Sequence, residues 1–158
     1  MNAMDLIILH FEEVRRRSIK VWKAIPEEML NWKPDENALT CAEMIRHLLE
    51  GEFLYHQILI GRGSNALANL SNPFEDKAFT TVDNELAFAQ PYRDNFLKYL
   101  KTVSISDLEN IEIDRSNVGY VRTLGDMLLR IAYHESVHTG QLLDYIRTMG
   151  IERPMIWD

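Results

Sequence analysis

Cysteine is almost absent: Cys41 stands alone among 158 residues, so no disulfide can form within the chain and a reducing, cytoplasmic setting is expected. Glycine (7) and proline (5) are too few for a collagen-like or low-complexity chain. Basic side chains are in the minority, 17 against 24 acidic, and the resulting net charge of −7 works against a phosphate backbone as partner. No apolar run approaches the roughly 20 residues of a membrane helix, because residues such as His10, Glu50 and Glu52 interrupt the candidates. Met1 to Leu9 carries Asp5 where a secretory leader has a basic head, so export is not expected. Gly61, Arg62 and Gly63 do not complete a phosphate-binding loop, and no strand precedes them. What remains is 46% hydrophobic and 26% charged, the ordinary mix of a soluble globular protein, at a length that suits one domain over 1–158.

Helical periodicity dominates. Ile7, Phe11, Val14, Ser18, Val21 and Ile25 share one face of a helix expected from Ala3 to Ile25, which Pro26 closes. Its triplet Arg15, Arg16, Arg17 follows Glu12 and Glu13 at pairing distance and reads as a solvated face, not a nucleic-acid patch. Pro26 to Ala38 reads as an ordered connector pinned by Trp32. Thr40 with Glu43 has capping-box spacing and starts a second helix, near 40 to 61. The stretch from Gly63 to Thr81 has no sustained period and predicts a long crossover loop. A third helix is expected from about Asp83 to Val103, kinked at Pro91. Ser104 to Arg122 reads as loop, since Ile111, Glu112 and Ile113 alternate like a strand but lack an evident partner. Thr123 and Asp126 open a fourth helix that runs to Gly150, and Ile151 to Asp158 forms a tail in which Trp157 is available for packing. The expected class is all-α, a bundle of four long amphipathic helices.

The strongest chemical signal is the string YHESVHTGQLL. Its His134 and His138 stand four apart on one side of the fourth helix, with Ile131, Tyr145 and Met149, a placement that points both imidazoles into the bundle. Buried imidazoles need partners, and one divalent ion such as zinc, nickel or ferrous iron satisfies two at once; two core histidines bonded to their neighbours are the alternative. His47, on the flank of the second helix with Gly51 one turn later, is the natural third ligand. His56 lies on the opposite flank and reads as structural or exposed, and His10 either lines the pocket or caps the core edge. Glu52 falls inside the apolar face and needs a partner, either a metal-bound histidine or a structural hydrogen bond. His134, Glu135 and His138 also spell H-E-x-x-H, in which Glu135 would be the general base of a zinc protease. Only 20 residues follow His138 to supply the downstream ligand, and no strand is expected to hold a peptide, so Glu135 reads more simply as a surface or inter-helix pairing residue. Cys41 sits in a helix first turn, which lowers a thiol pKa, but it has no adjacent histidine.

These residues resemble the DinB-like (damage-inducible) family of bacterial metal-binding four-helix proteins. The resemblance runs nearly end to end and rests on LTCAEMIRHLLEGE, on the spacing from His47 to the late pair, and on YHESVHTGQLLDYIRTMGIERP. It implies an up-down-down-up bundle with a long connection, a homodimer, and one divalent ion per chain held by His47, His134 and His138. Many relatives carry a further histidine where this chain has Val137, so any accessory role of that histidine is absent here. Characterised relatives include transferases and isomerases using thiols such as bacillithiol or mycothiol. The expectation is therefore a metal-dependent transferase that activates a low-molecular-weight thiol against a small electrophilic substrate, without nucleic-acid or membrane partners. A metal-dependent hydrolase and a non-catalytic, metal-binding stress-response protein are the alternatives.

Overall fold

The structure, a computed structural model, describes residues 1–158. Four long helices carry the fold: α1 (Ala3–Lys23), α2 (Cys41–Ile60), α3 (Val82–Leu100) and, after a one-and-a-half-turn α4 (Ile105–Asn110) and the strands β1 (Glu112–Arg115) and β2 (Tyr120–Thr123), α5 (Leu124–Thr148). Their starts follow local chemistry. Asn2 with Asp5 and Thr40 with Glu43 form complete capping boxes, and the Thr81 and Thr123 hydroxyls accept the Asn84 and Asp126 amides. No helix is long and apolar enough to cross a membrane.

Cross-helix pairs set the directions. Arg15 meets Glu135 and Ser18 meets Thr139, so α1 and α5 run parallel. Arg46 meets Glu85 and Glu52 meets Arg93, so α2 and α3 are parallel too. Lys23 pairs with Asp83 while Arg93 reaches the Phe11 carbonyl, which makes α3 antiparallel to α1. The result is the up-down-down-up all-α bundle. Because α2 and α3 are parallel, their connection must return along the whole bundle, which is why the segment from Gly61 to Thr81 is long. It is tied down by buried Phe74 and by Arg46, whose guanidinium donates to the Phe74 and Lys77 carbonyls.

The core is divided. One apolar cluster gathers Trp22, Ile45, Leu48, Leu142 and Ile146, and the other gathers Phe11, Phe96, Leu128 and Ile131. Between them lies a charged layer made of Arg15, Glu52, Arg93 and Glu135, each at most 7% exposed. Glu135 holds Arg15 through two parallel bonds (2.8 and 2.9 Å), Arg15 reaches Glu52 at 3.3 Å, and Glu52 pairs with Arg93. Two cations and two anions make the layer neutral, the condition under which such burial is tolerable.

Several expectations change. The segment from Ser104 to Arg122 is not loop: β1 and β2 pair antiparallel, Glu112 opposite Thr123 through Arg115 opposite Tyr120, behind a short helix. The missing partner was the β-branched and aromatic run Tyr120 to Thr123 a few residues downstream, reached through Gly119 at φ +93°. The hairpin buries Ile113 completely and docks on the end of α2, where Asp114 donates to the Arg62 carbonyl. A side chain at Gly63 would bring its Cβ to 2.6 Å from the Asp114 carbonyl oxygen, so this close approach requires glycine. α3 includes exposed Pro91, as expected, but stops at Leu100, short of Val103. Trp32 is only half-buried, packing edge-on against Tyr145. In the tail Ile156, not Trp157, is buried, and Asp158 pairs with Arg16 and Lys20. Of the arginine triplet, Arg16 and Arg17 lie on the outer face with Glu13, but Arg15 turns inward.

Candidate metal centre

α2 and α5 run antiparallel, which carries His47 across to His134 and His138. The three ring centroids lie 4.7 to 5.1 Å apart, and the ring planes meet at 80°, 89° and 87°. His47 Nε2 is 2.9 Å from His134 Nε2, and one nitrogen from each of the three rings fits within a span of 4.8 Å. Three imidazoles bound to zinc at about 2.0–2.1 Å place their nitrogens roughly 3.3 Å apart, so small adjustments suffice for this donor set to close on one ion. His138 Nδ1 donates to Gln141 Oε1 at 2.6 Å, which fixes the tautomer and leaves the Nε2 lone pair available. Gly51 faces His134: a Cβ there would stand 3.6 Å from the ring.

The cluster sits at the open edge between α2 and α5, with His47 exposed and the other two half-buried. This corrects the expectation that the pair points into the bundle. The buried stripe of α5, which includes Leu128, Ala132, Glu135, Thr139, Leu142 and Ile146, is centred near Glu135, so His134 and His138 stand on its flank, roughly 60–100° round the axis. Partial burial still matters electrically. It pushes the His134 imidazole down, and the nearby His138 and His47 add to this, taking it to about 4 against the opposing charge of Glu135. Burial and His138 lower His47 as well, opposed by Glu50. Neutral imidazole is the metal-binding form.

Beside the histidines lies a cavity of about 200 Å³ whose walls include Tyr55, Leu54, Ile58, Leu67, Glu50 and Arg115. A larger one, about 320 Å³, opens between α1, α2 and α3 above Arg15 and Arg93, away from the histidines.

The other sequence candidates go elsewhere. Glu135 is not a surface residue: both its oxygens are bonded to Arg15, so it is an inter-helix pairing residue. Burial pushes its carboxyl up, but the Arg15 charge and hydrogen bonds outweigh that and hold it below the ordinary carboxylate value. An ionised group saturated in this way is a poor general base for H-E-x-x-H chemistry. Glu52 supports Arg93 and Arg15, not a histidine. His10 is exposed on the outer α1–α5 face near Leu129, Arg130 and Tyr133. His56 is buried against Phe96 and Tyr99 with Nε2 unpartnered, and lies outside the cluster. Cys41 is fully buried, and that burial pushes its thiol up to about 11, overriding any helix-terminus effect. Gln141 was missed, although its position three residues after His138 is a readable signal. Tyr55, Glu50 and Arg115 come together only through the fold.

Comparison with known proteins agrees with this architecture. YjoA of Bacillus subtilis (strain 168), itself uncharacterized, is 26% identical over 151 residues, spanning 95% of this chain and 93% of YjoA. The crystal structure of this DinB-like protein superposes with a TM-score of 0.71 at 22% identity, covering 96% of each chain, which establishes the shared fold. Residues 10–142 match the DinB superfamily. With most of its length matched and the same bundle formed, this chain belongs to the DinB superfamily.

Proposed function

We propose that His47, His134 and His138 hold one divalent ion, zinc, nickel or ferrous iron, and that the protein is a transferase that activates a low-molecular-weight thiol against an electrophilic small molecule. The observation that carries this reading is the convergence of three imidazoles at an open edge, next to a small cavity. Three neutral donors leave the ion its full charge and an open position, where it would lower the pKa of a bound thiol or water. The protein's own residues do the rest. Gln141 holds His138 in the ligating tautomer. The absence of a side chain on Gly51 keeps the ground beside His134 open. Leu54, Ile58 and Leu67 exclude water from one wall of the cavity. In the transfer, the sulfur–carbon bond forms as the bond to the leaving group breaks; the leaving group keeps that electron pair, and the thiol proton passes to solvent.

We assign a homodimer to the same reading. Leu6, Leu9, Leu129, Tyr133 and Val137 are all exposed on α1 and α5 and supply an apolar surface for it. The protease alternative is weakened by the Arg15–Glu135 pair.

Elemental analysis of gently purified protein, with His47→Ala, His134→Ala and His138→Ala alongside, tests the centre. About one ion per chain is expected for the wild type, as a single three-histidine centre requires, and close to none for each variant. Retention of metal by His47→Ala alone would move the third ligand elsewhere. A cobalt-substituted sample whose visible spectrum does not respond to added thiol would leave the ion structural and sink the transferase reading.

A further inference from the structure

Arg115 ends β1 and projects over the cavity beside the histidines, and it differs from every other sheltered arginine of the chain. Arg15, Arg16, Arg17, Arg46, Arg93 and Arg122, all buried or half-buried, each pair with a carboxylate. Arg115 is half-buried and has no carboxylate within 4.0 Å. Its guanidinium lies within reach of two rings, 5.6 Å from the Tyr55 centroid and 5.5 Å from that of Tyr120. Nε donates to Ser64 Oγ at 3.1 Å and Nη1 to the Tyr120 hydroxyl at 3.0 Å, which locks the orientation while leaving N–H donors of the fork uncommitted. A guanidinium stripped of part of its water, held by neutral partners and presenting an open donor edge, is built to receive a planar anion.

The position of that edge gives it meaning. Tyr55 touches both sides: its ring is 6.1 Å from the His134 ring, so Arg115 and the histidines lie no farther apart than these two short steps together. Between them the cavity wall is apolar, made by Leu54, Ile58 and Leu67. Glu50 stands one turn from His47, held by Asn72, and repels a second negative charge at the histidine end.

We propose that Arg115 is the specificity-determining residue of this site: it seats the carboxylate of a small molecule with an apolar midsection, whose far end reaches the three histidines. The inference rests on the reading of the histidines as a metal centre with a thiol ligand. The carboxylate belongs either to the thiol or to the electrophile it attacks, and the chemistry of recognition is the same.

Calorimetric titration with 6-mercaptohexanoate, 6-mercaptohexanol and hexanoate, on metal-free and zinc-loaded protein, tests it with Arg115→Met and Arg115→Lys. On metal-free protein, wild type should bind both acids more tightly than the alcohol. Arg115→Met should weaken acid binding by about tenfold or more, the loss expected for charge-assisted hydrogen bonds, and leave the alcohol unchanged. Arg115→Lys should fall between. Equal affinity of acid and alcohol for wild type, or acid binding unaffected in Arg115→Met, overturns the proposal; so does loss of all three probes together, which makes Arg115 a support of the hairpin only. The hexanoate arm on metal-free protein reads Arg115 without the ion. If it succeeds while zinc adds nothing for 6-mercaptohexanoate over hexanoate, the carboxylate seat stands as a site for a small carboxylate, and the thiol reading fails on its own. If zinc strengthens 6-mercaptohexanoate more than it strengthens 6-mercaptohexanol, the carboxylate belongs to the thiol.

Discussion

Replacing Glu135 by glutamine separates two roles that the H-E-x-x-H spelling confuses. Glutamine keeps the volume and one oxygen, but it presents an NH₂ group to a guanidinium that now lacks its bidentate partner. The only carboxylate left to Arg15 is Glu52 at 3.3 Å, which already serves Arg93. The layer is left with one unbalanced positive charge among residues no more than 7% exposed. Removing one partner of a buried pair costs about 3–5 kcal/mol. A Coulomb estimate for charge centres about 4 Å apart in a medium of effective dielectric constant near 20 gives about 4 kcal/mol, in agreement. For a domain of this length that corresponds to a fall in Tm on the order of 10 °C. Total stabilities run to about 5–15 kcal/mol, so most of that range leaves the variant folded at room temperature. Thermal and urea unfolding of metal-free protein read the loss, and elemental analysis of the loaded protein should show metal content nearly unchanged. The double variant Arg15→Met with Glu135→Leu should recover more than half of the loss, because it removes one cation and one anion together. Glu135→Gln melting within a degree or two of wild type would refute the structural role. Loss of metal with the fold intact would return the carboxylate to the histidines.

Two further outcomes follow from the site. Gln141→Leu removes the acceptor of His138 Nδ1–H and should weaken metal affinity about 10- to 100-fold, while this exposed position keeps unfolding within about 0.5 kcal/mol of wild type; competition with a chelator measures the first. The metal-free protein should lose stability as pH falls from 6.5, the ordinary imidazole value, toward the value of about 4 that His134 has when folded. In that window the unfolded chain takes up a proton that the native imidazole refuses, so the loss begins below 6.5 and is complete near 4. His47 acts in the same direction. Tm measured against pH should be flatter between 6.5 and 4.5 in His134→Ala, and an unchanged slope would show that the imidazole is not depressed.

The long helices were legible because their information is local. Period, capping residues and stop signals lie within a few turns of one another, and Thr40 with Glu43 or Thr123 before Asp126 needs nothing distant to act. His134 and His138 are local in the same sense, since one helix turn puts them side by side whatever the rest of the chain does. His47 was readable only through the resemblance and the general habit of bundles, because 87 residues separate it from His134 and only the antiparallel packing of α2 on α5 brings the rings together.

Which face of α5 is buried was decided in three dimensions. The wheel alone placed the histidines inside, but Arg15 arriving from α1 pulled Glu135 into the centre and left the imidazoles on the open flank. A charge in an apolar stripe reads as an error until its partner is known, and the partner of Glu135 lies 120 residues away. The hairpin was hidden for the same reason, since a strand is stabilised by another strand and not by its own sequence. Arg115 depends on that hairpin, on Ser64 after α2 and on Tyr55 within it. Local periodicity and capping therefore determined the helices and the histidine pair by themselves, whereas the charged layer, the exposure of the three-histidine cluster and the cavity beside it arose only when distant segments exchanged water for one another.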